Sequence, residues 1–138
     1  MRALLFHCKR YNTKIDRLSN RPEKISPEEV KKKSQSAKDC IVSLITVEEK
    51  DNLKKVCPQI SKEISKMSKE IGHPNIVILP FAHLSNKLAD SKKGISAINE
   101  IEKNLKENHN VIRAHFGSHK SLLLDLYGHP GNARYREF

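Results

Sequence analysis

Two polar side chains stand where the apolar pattern makes them conspicuous. The stretch Pro80-Phe81-Ala82-His83-Leu84-Ser85 carries an apolar run straight into a histidine. If residues 75–80 form a strand, His83 lies just past its carboxyl end, where sheets of α/β proteins commonly place their ligands. The backbone N–H groups of Ala82 and His83 can there face an anion or a carbonyl oxygen. The competing reading is a histidine that closes a strand end with one satisfied hydrogen bond. Lys120 is the second. Alternation puts it on the face of Leu122, Leu124 and Leu126, which is read as the inner one. An ammonium on such a face is costly without a partner. It holds a carboxylate, a ribose hydroxyl or a developing oxyanion, or else it snorkels to water.

Other chemistries find little support. There is no Gly-rich phosphate loop, no His-Glu-x-x-His helix and no Gly-x-Ser-x-Gly elbow. The seven histidines show no metal-ligand spacing; His115 and His119 are read as strand-surface residues or site walls, and Gly128-His129-Pro130 as a tight turn. The three cysteines, Cys8, Cys40 and Cys57, are odd in number and include no Cys-x-x-Cys. Neither a disulfide framework nor a cysteine zinc site follows; small reduced core residues of a cytosolic protein do.

These side chains need elements to hold them. Ala3–Phe6 reads as a central strand, residues 11–18 as a weak edge strand, and Cys40–Val47 as a strand rich in β-branched residues. The polar region from Ser19 to Asp39 reads as a long surface connection, with one helical turn after Ser26-Pro27-Glu28-Glu29. Ile60, Ile64, Met67 and Ile71 share one helix face, with Pro58 in the first turn and Gly72 as a stop. Asn75–Pro80 is another strand. Ser91–His109 is a second amphipathic helix with Ile95, Ile98, Ile101 and Leu105 inward. Residues 111–116 and 120–127 read as a hairpin turning near Gly117-Ser118, and the polar end after Gly131 as leading into a linker. Two helices need a sheet face to cover, and the central strands look buried on both sides. The expected fold is one α/β domain with a mixed sheet.

With 138 residues the chain is sized for one core. A formal net charge of +10 favours acidic partners, nucleic acid among them, although a Lys-rich solvated surface explains the charge equally well. No apolar stretch approaches the roughly 20 residues of a membrane span. The opening is no signal peptide, because the run Ala3–Phe6 is short and His7, Lys9 and Arg10 follow it.

Several stretches together resemble one family. Met1-Arg2-Ala3-Leu4-Leu5-Phe6-His7 resembles the opening of archaeal threonyl-tRNA synthetases, and Pro80-Phe81-Ala82-His83-Leu84-Ser85 is similar to that family's most distinctive stretch. Phe116-Gly117 with Lys120 three residues on, then Gly128-His129-Pro130, match its C-terminal signature, and residues 41–48 resemble the strand that frames its adenosine pocket. The resemblance covers the whole chain in order. It implies that residues 1–138 are the editing domain, in a longer synthetase or as a separate chain. It also implies a D-aminoacyl-tRNA deacylase-like fold, a homodimer, cytoplasmic location, and hydrolysis of the ester between serine and the 3′-terminal adenosine of threonine tRNA. The need is physical: losing one methyl changes binding by only about 1–3 kcal/mol, so a threonine site rejects serine poorly.

By the same resemblance, Val47 corresponds to the position whose backbone reads the adenine, and Pro80, Phe81 and Ala82 form the wall around ribose and amino acid. His83 and Lys120 stand at the reacting ester, with Phe116 and Gly117 as floor. His119 stands where the family has an aromatic tyrosine, and Ala133 falls where it has a glutamate near the lysine, with Glu137 a substitute if the register slips. Catalysis would draw on backbone groups, a held water and the tRNA's own 2′-hydroxyl. No cofactor is implied for editing; ATP and zinc belong to a synthetase domain, if one follows. Two alternatives stay open: a D-aminoacyl-tRNA deacylase, and a degenerate tRNA-binding module without catalysis.

Overall fold

Apolar residues alternate from Ala3 to Ile15, and they build one strand where two were expected. The computed structural model describes residues 1–18, 33–72 and 75–138. In it β1 spans Arg2–Leu18. A register irregularity lies between Cys8 and Arg10, opposite Asp39, which takes a left-handed φ of 45°, a conformation Asp tolerates better than most residues. The extra residue changes which parity faces inward: Ala3 and Leu5 join one core cluster, whereas Cys8 and Tyr11 both join another.

Five further strands complete the sheet. β2 (Ser34–Thr46) runs antiparallel to β1, from Arg2 opposite Thr46 to Lys14 opposite Ser34. β3 (Asn75–Pro80) is parallel to β2, and β4 (Asn110–Arg113) is parallel to β3. β5 (Ser118–Leu126) pairs antiparallel with the second half of β1, and β6 (Ala133–Glu137) with its first half. The order is β4-β3-β2-β1-β5, with β6 also beside β1.

Among the described residues two helices cover one face. α1 (Leu53–Ile71) starts five residues before Pro58, which therefore sits in the second turn, and ends at Gly72 with φ 70°. α2 (Ser91–Lys106) is capped by Asp90, whose carboxylate accepts the Lys93 N–H at 2.8 Å. Ile60, Ile64 and Met67 of α1 meet Ile98, Ile101 and Leu105 of α2 over Ala3, Leu5, Ile41, Ile45, Ile76 and Ile78. Ile95 is only half-buried; Gly94 and Ala97 take the inward positions beside Ile98. On the other face Val42, Leu44, Val77 and Leu79 pack with Cys8, Tyr11 and Ala114. The start of β2 reaches back across β4 there, with the Gln35 amide donating to the Arg113 carbonyl at 2.8 Å.

Four expectations need correction. Residues 11–18 are no edge strand: they continue β1 between β2 and β5. Residues 111–116 and 120–127 form no hairpin. β4 stands at one end of the sheet order and β5 at the other, and the buried pair Ala114 and His115 lies in the connection between them. The polar end, expected only to lead into a linker, is itself the strand β6, held by backbone pairing from Arg2–Glu137 to Phe6–Ala133. The polar residues 34–39 are strand, their backbone groups paired with β1; the expected helical turn near Ser26 lies outside the described residues.

Candidate active site

The parallel strands β2 and β3 run out side by side, Ile45 opposite Pro80. Beyond these carboxyl ends lies a cavity of about 640 Å³. Its walls come from five directions. Ile45, Val47, Leu79 and Pro80 close the sheet end, and Phe81, Ala82 and His83 form the loop above it. Asp90, Ser91, Gly94 and Ile98 belong to the start of α2. Phe116 to Lys120, with Leu122, approach from the start of β5, and Thr13 and Asp16 from the far half of β1. Every residue expected at the site, from Val47 and Pro80 to His119 and Lys120, therefore lines one space.

The loop is tied down by the strands below. The Phe81 N–H donates to the Ile45 carbonyl at 2.9 Å, and the Thr46 hydroxyl donates to the Phe81 carbonyl. The Ala89 N–H donates to the Val47 carbonyl at 3.0 Å. Glu48 anchors the same loop from outside the cavity: it accepts the Ser85 hydroxyl, the Arg2 guanidinium at 3.1 Å and the Met1 ammonium at 3.0 Å. These partners, the Ser85 hydrogen bond foremost, hold its carboxyl below the usual value. His83 is exposed, its ring edge-on to Phe81 at 5.1 Å between centroids.

Lys120 is half-buried. Its ammonium donates to the His115 carbonyl at 2.9 Å, the Ser118 carbonyl at 3.2 Å and the Ser118 hydroxyl at 3.4 Å. It thus braces the turn through Gly117, whose φ of 73° suits a residue without a Cβ. The sequence placed Lys120 on an inner leucine face; Leu124 and Leu126 of that face pack against the cluster of Cys8 and Tyr11, whereas Leu122, nearer Lys120, is 40% exposed. His119 is an exposed wall of the cavity, whereas His115 is buried at 2% exposure and outside the lining, contrary to a surface or wall role.

The Gly128-His129-Pro130 turn stands away from the cavity lining. It is pinned to β1 instead: the His7 and His129 rings share a 2.7 Å hydrogen bond, and the Tyr127 N–H donates to the His7 carbonyl at 3.0 Å. Ala133 lies on β6 opposite Phe6, and Glu137 pairs with Arg2 at 3.1 Å, so Glu137 does not replace a carboxylate in the cavity. None of the three thiols lines the cavity; all are fully buried, and burial pushes them up, Cys8 to about 12 and Cys40 and Cys57 to about 11. Among the described residues no group of three or more His, Cys, Asp or Glu could hold a metal ion, and no helix is long and apolar enough to cross a membrane.

A mixed sheet whose parallel strands end in a cavity with a lysine, two histidines and no accessible thiol admits several hydrolytic readings. Comparison with known sequences decides the family. The family model described as the Archaea-specific editing domain of threonyl-tRNA synthetase matches residues 1–138. The chain belongs to this family. Across 133 residues the editing domain is 35% identical to the threonine–tRNA ligase of Thermococcus onnurineus, covering 94% of this chain and 21% of that protein. It is 35% identical over 104 residues to the threonine–tRNA ligase editing subunit of Saccharolobus solfataricus, covering 75% of this chain and 27% of that one. The editing domain thus spans about a fifth of the length of the ligase. A solved structure titled c-Myc DNA Unwinding Element Binding Protein superposes with a TM-score of 0.71 at 12% identity, covering 100% of this chain and 99% of that chain. That likeness concerns the fold, and the expected D-aminoacyl-tRNA deacylase-like α/β architecture stands.

Sequence reasoning missed Thr13, Asp16, Gly94 and Ile98 as lining residues. Asp16 and Thr13 were hidden by reading the end of β1 as an edge. Gly94 left a trace, a glycine inside a helical pattern.

Proposed function

We propose that this editing domain hydrolyses the ester of L-seryl-tRNA(Thr), with the 3′-terminal adenosine and its seryl group seated in the cavity beyond β2 and β3. The observation that carries the reading is the convergence of His83, Lys120 and the Pro80–Ala82 wall on one cavity of about 640 Å³, room for a nucleoside with a small acyl group. In this reading a water oxygen attacks the ester carbonyl carbon, the bond from that carbon to the ribose oxygen breaks, and serine and a free tRNA hydroxyl leave. Lys120 is already fixed by three oxygen acceptors. That rigidity suits it to position the water and offset the charge that develops on the carbonyl oxygen. His83, exposed at the mouth, orients the substrate. The buried, raised thiols support water over a cysteine as the nucleophile. The tRNA's 2′-hydroxyl assists, and no cofactor is needed. The domain works as a homodimer in the cytoplasm, within a synthetase or beside one.

The test is single-turnover deacylation of seryl- and threonyl-tRNA(Thr) by the purified chain. Serine is expected to be lost fast and threonine slowly, and Lys120→Ala to slow serine release on the order of 10²-fold. Serine release no faster than in buffer, with tRNA still bound, refutes catalysis and leaves a binding module. Faster release from D-aminoacyl esters than from the L-seryl ester reassigns the substrate.

A further inference from the structure

α2 carries a glycine where a helix gains nothing from one. Gly94 is the fourth residue of α2, buried, and a lining residue of the cavity. Relative to alanine, a glycine in a helix interior costs about 1 kcal/mol. Its surroundings supply a reason for it. A Cβ at this position would stand 3.1 Å from Cζ and 3.3 Å from Cε2 of Phe116, inside the roughly 3.5–4.0 Å of ordinary carbon contact. The outer end of the Phe116 ring therefore sits close against the bare helix backbone.

Phe116 also occupies an informative place in the chain. It precedes Gly117 and Ser118, the turn that Lys120 braces. If Lys120 stands at the ester, the acyl side chain lies beside this turn and not at the Val47 end. On its other sides the ring packs on the closed core of α1, α2 and the sheet, which has little room to yield. Its open side is the cavity.

We infer that Gly94 is a specificity-determining residue: by letting the tip of the Phe116 ring approach α2 closely it sets the depth of the space that receives the amino-acid side chain. This rests on the seryl-ester reading above. A methyl at Gly94 displaces the ring by a few tenths of an ångström toward the cavity, and the loss grows with the size of the acyl side chain.

The experiment compares glycyl- and seryl-tRNA(Thr) as substrates of the unsubstituted chain, Gly94→Ala and Gly94→Ala/Phe116→Leu, with thermal unfolding of each. Gly94→Ala is expected to keep or raise the melting temperature and to leave glycyl release within about twofold. Its seryl rate falls by about tenfold or more, the scale of one carbon group in a tight pocket. The double variant, with a smaller side chain at 116, regains seryl release. Equal changes for both esters, no change for either, or a double variant that stays slow on the seryl ester each overturn the inference. An unsubstituted chain that releases neither ester refutes the editing reading itself, a result distinct from active hydrolysis indifferent to Gly94.

Discussion

Each buried thiol pays for its position with a raised pKa, and this sets its reactivity. Desolvation is the leading cause at Cys8, Cys40 and Cys57, and only the thiolate is nucleophilic. At pH 8 the native chain is expected to leave an aromatic disulfide reagent unconsumed over minutes, and the denatured chain to consume it with all three thiols; a native thiol reacting at once would contradict the burial described. The same shift has a sign for stability. The folded pKa lies above the ordinary value of 9.0, so the contribution is complete below that value and is lost as pH rises toward 11 or 12. At this scale the sequence was informative about residue type and silent about company. His83 and Lys120 stood out from their neighbours, but the carbonyls of His115 and Ser118 that hold Lys120 belong to backbone whose path no side-chain pattern reports.

At the scale of elements, α1 was legible because its burial stripe is strong, and its consequences follow from packing. Ile64 is fully buried between α2 and the sheet, so Ile64→Ala is expected to cost about 2–5 kcal/mol in chemical denaturation; a cost below about 1 kcal/mol would mean that α1 does not cover the sheet as described. Helix periodicity and the Gly72 stop are local properties, and both reappear in the structure. Strand partners are not local. β1 alternates from Ala3 to Ile15 with an interruption near Cys8 that looks like a strand end, yet it is a bulge at which one strand turns and continues. β5 and β4 follow one another in sequence as a hairpin would, but the two strands stand at opposite ends of the order, with the buried Ala114 and His115 in the connection between them.

For the whole molecule the net charge of +10 is the dominant electrostatic fact. An editing domain of a tRNA ligase implies contact with tRNA, and phosphate neutralisation by Lys and Arg releases counterions. Affinity for tRNA, measured by filter binding or fluorescence anisotropy, is therefore expected to fall at least tenfold between about 50 mM and about 200 mM salt. Affinity independent of salt would show that the charge plays no part in binding.

By itself the sequence determined the class of fold, the two helices with their inward faces, the strand Asn75–Pro80, and the residue types at the site. It could do so because helix period, β-branched runs and a polar group in an apolar context are properties of neighbouring residues. Only the tertiary structure decided that β1 is single and bent, that the polar end is β6, and that Asp16 and Gly94 share the cavity with His83 and Lys120. Asp16 and Gly94 are 78 residues apart in the chain. Their meeting depends on the course of β1, with its register irregularities after Cys8 and at Asp16, and on which edge β5 takes, and those are settled by long-range pairing and core packing.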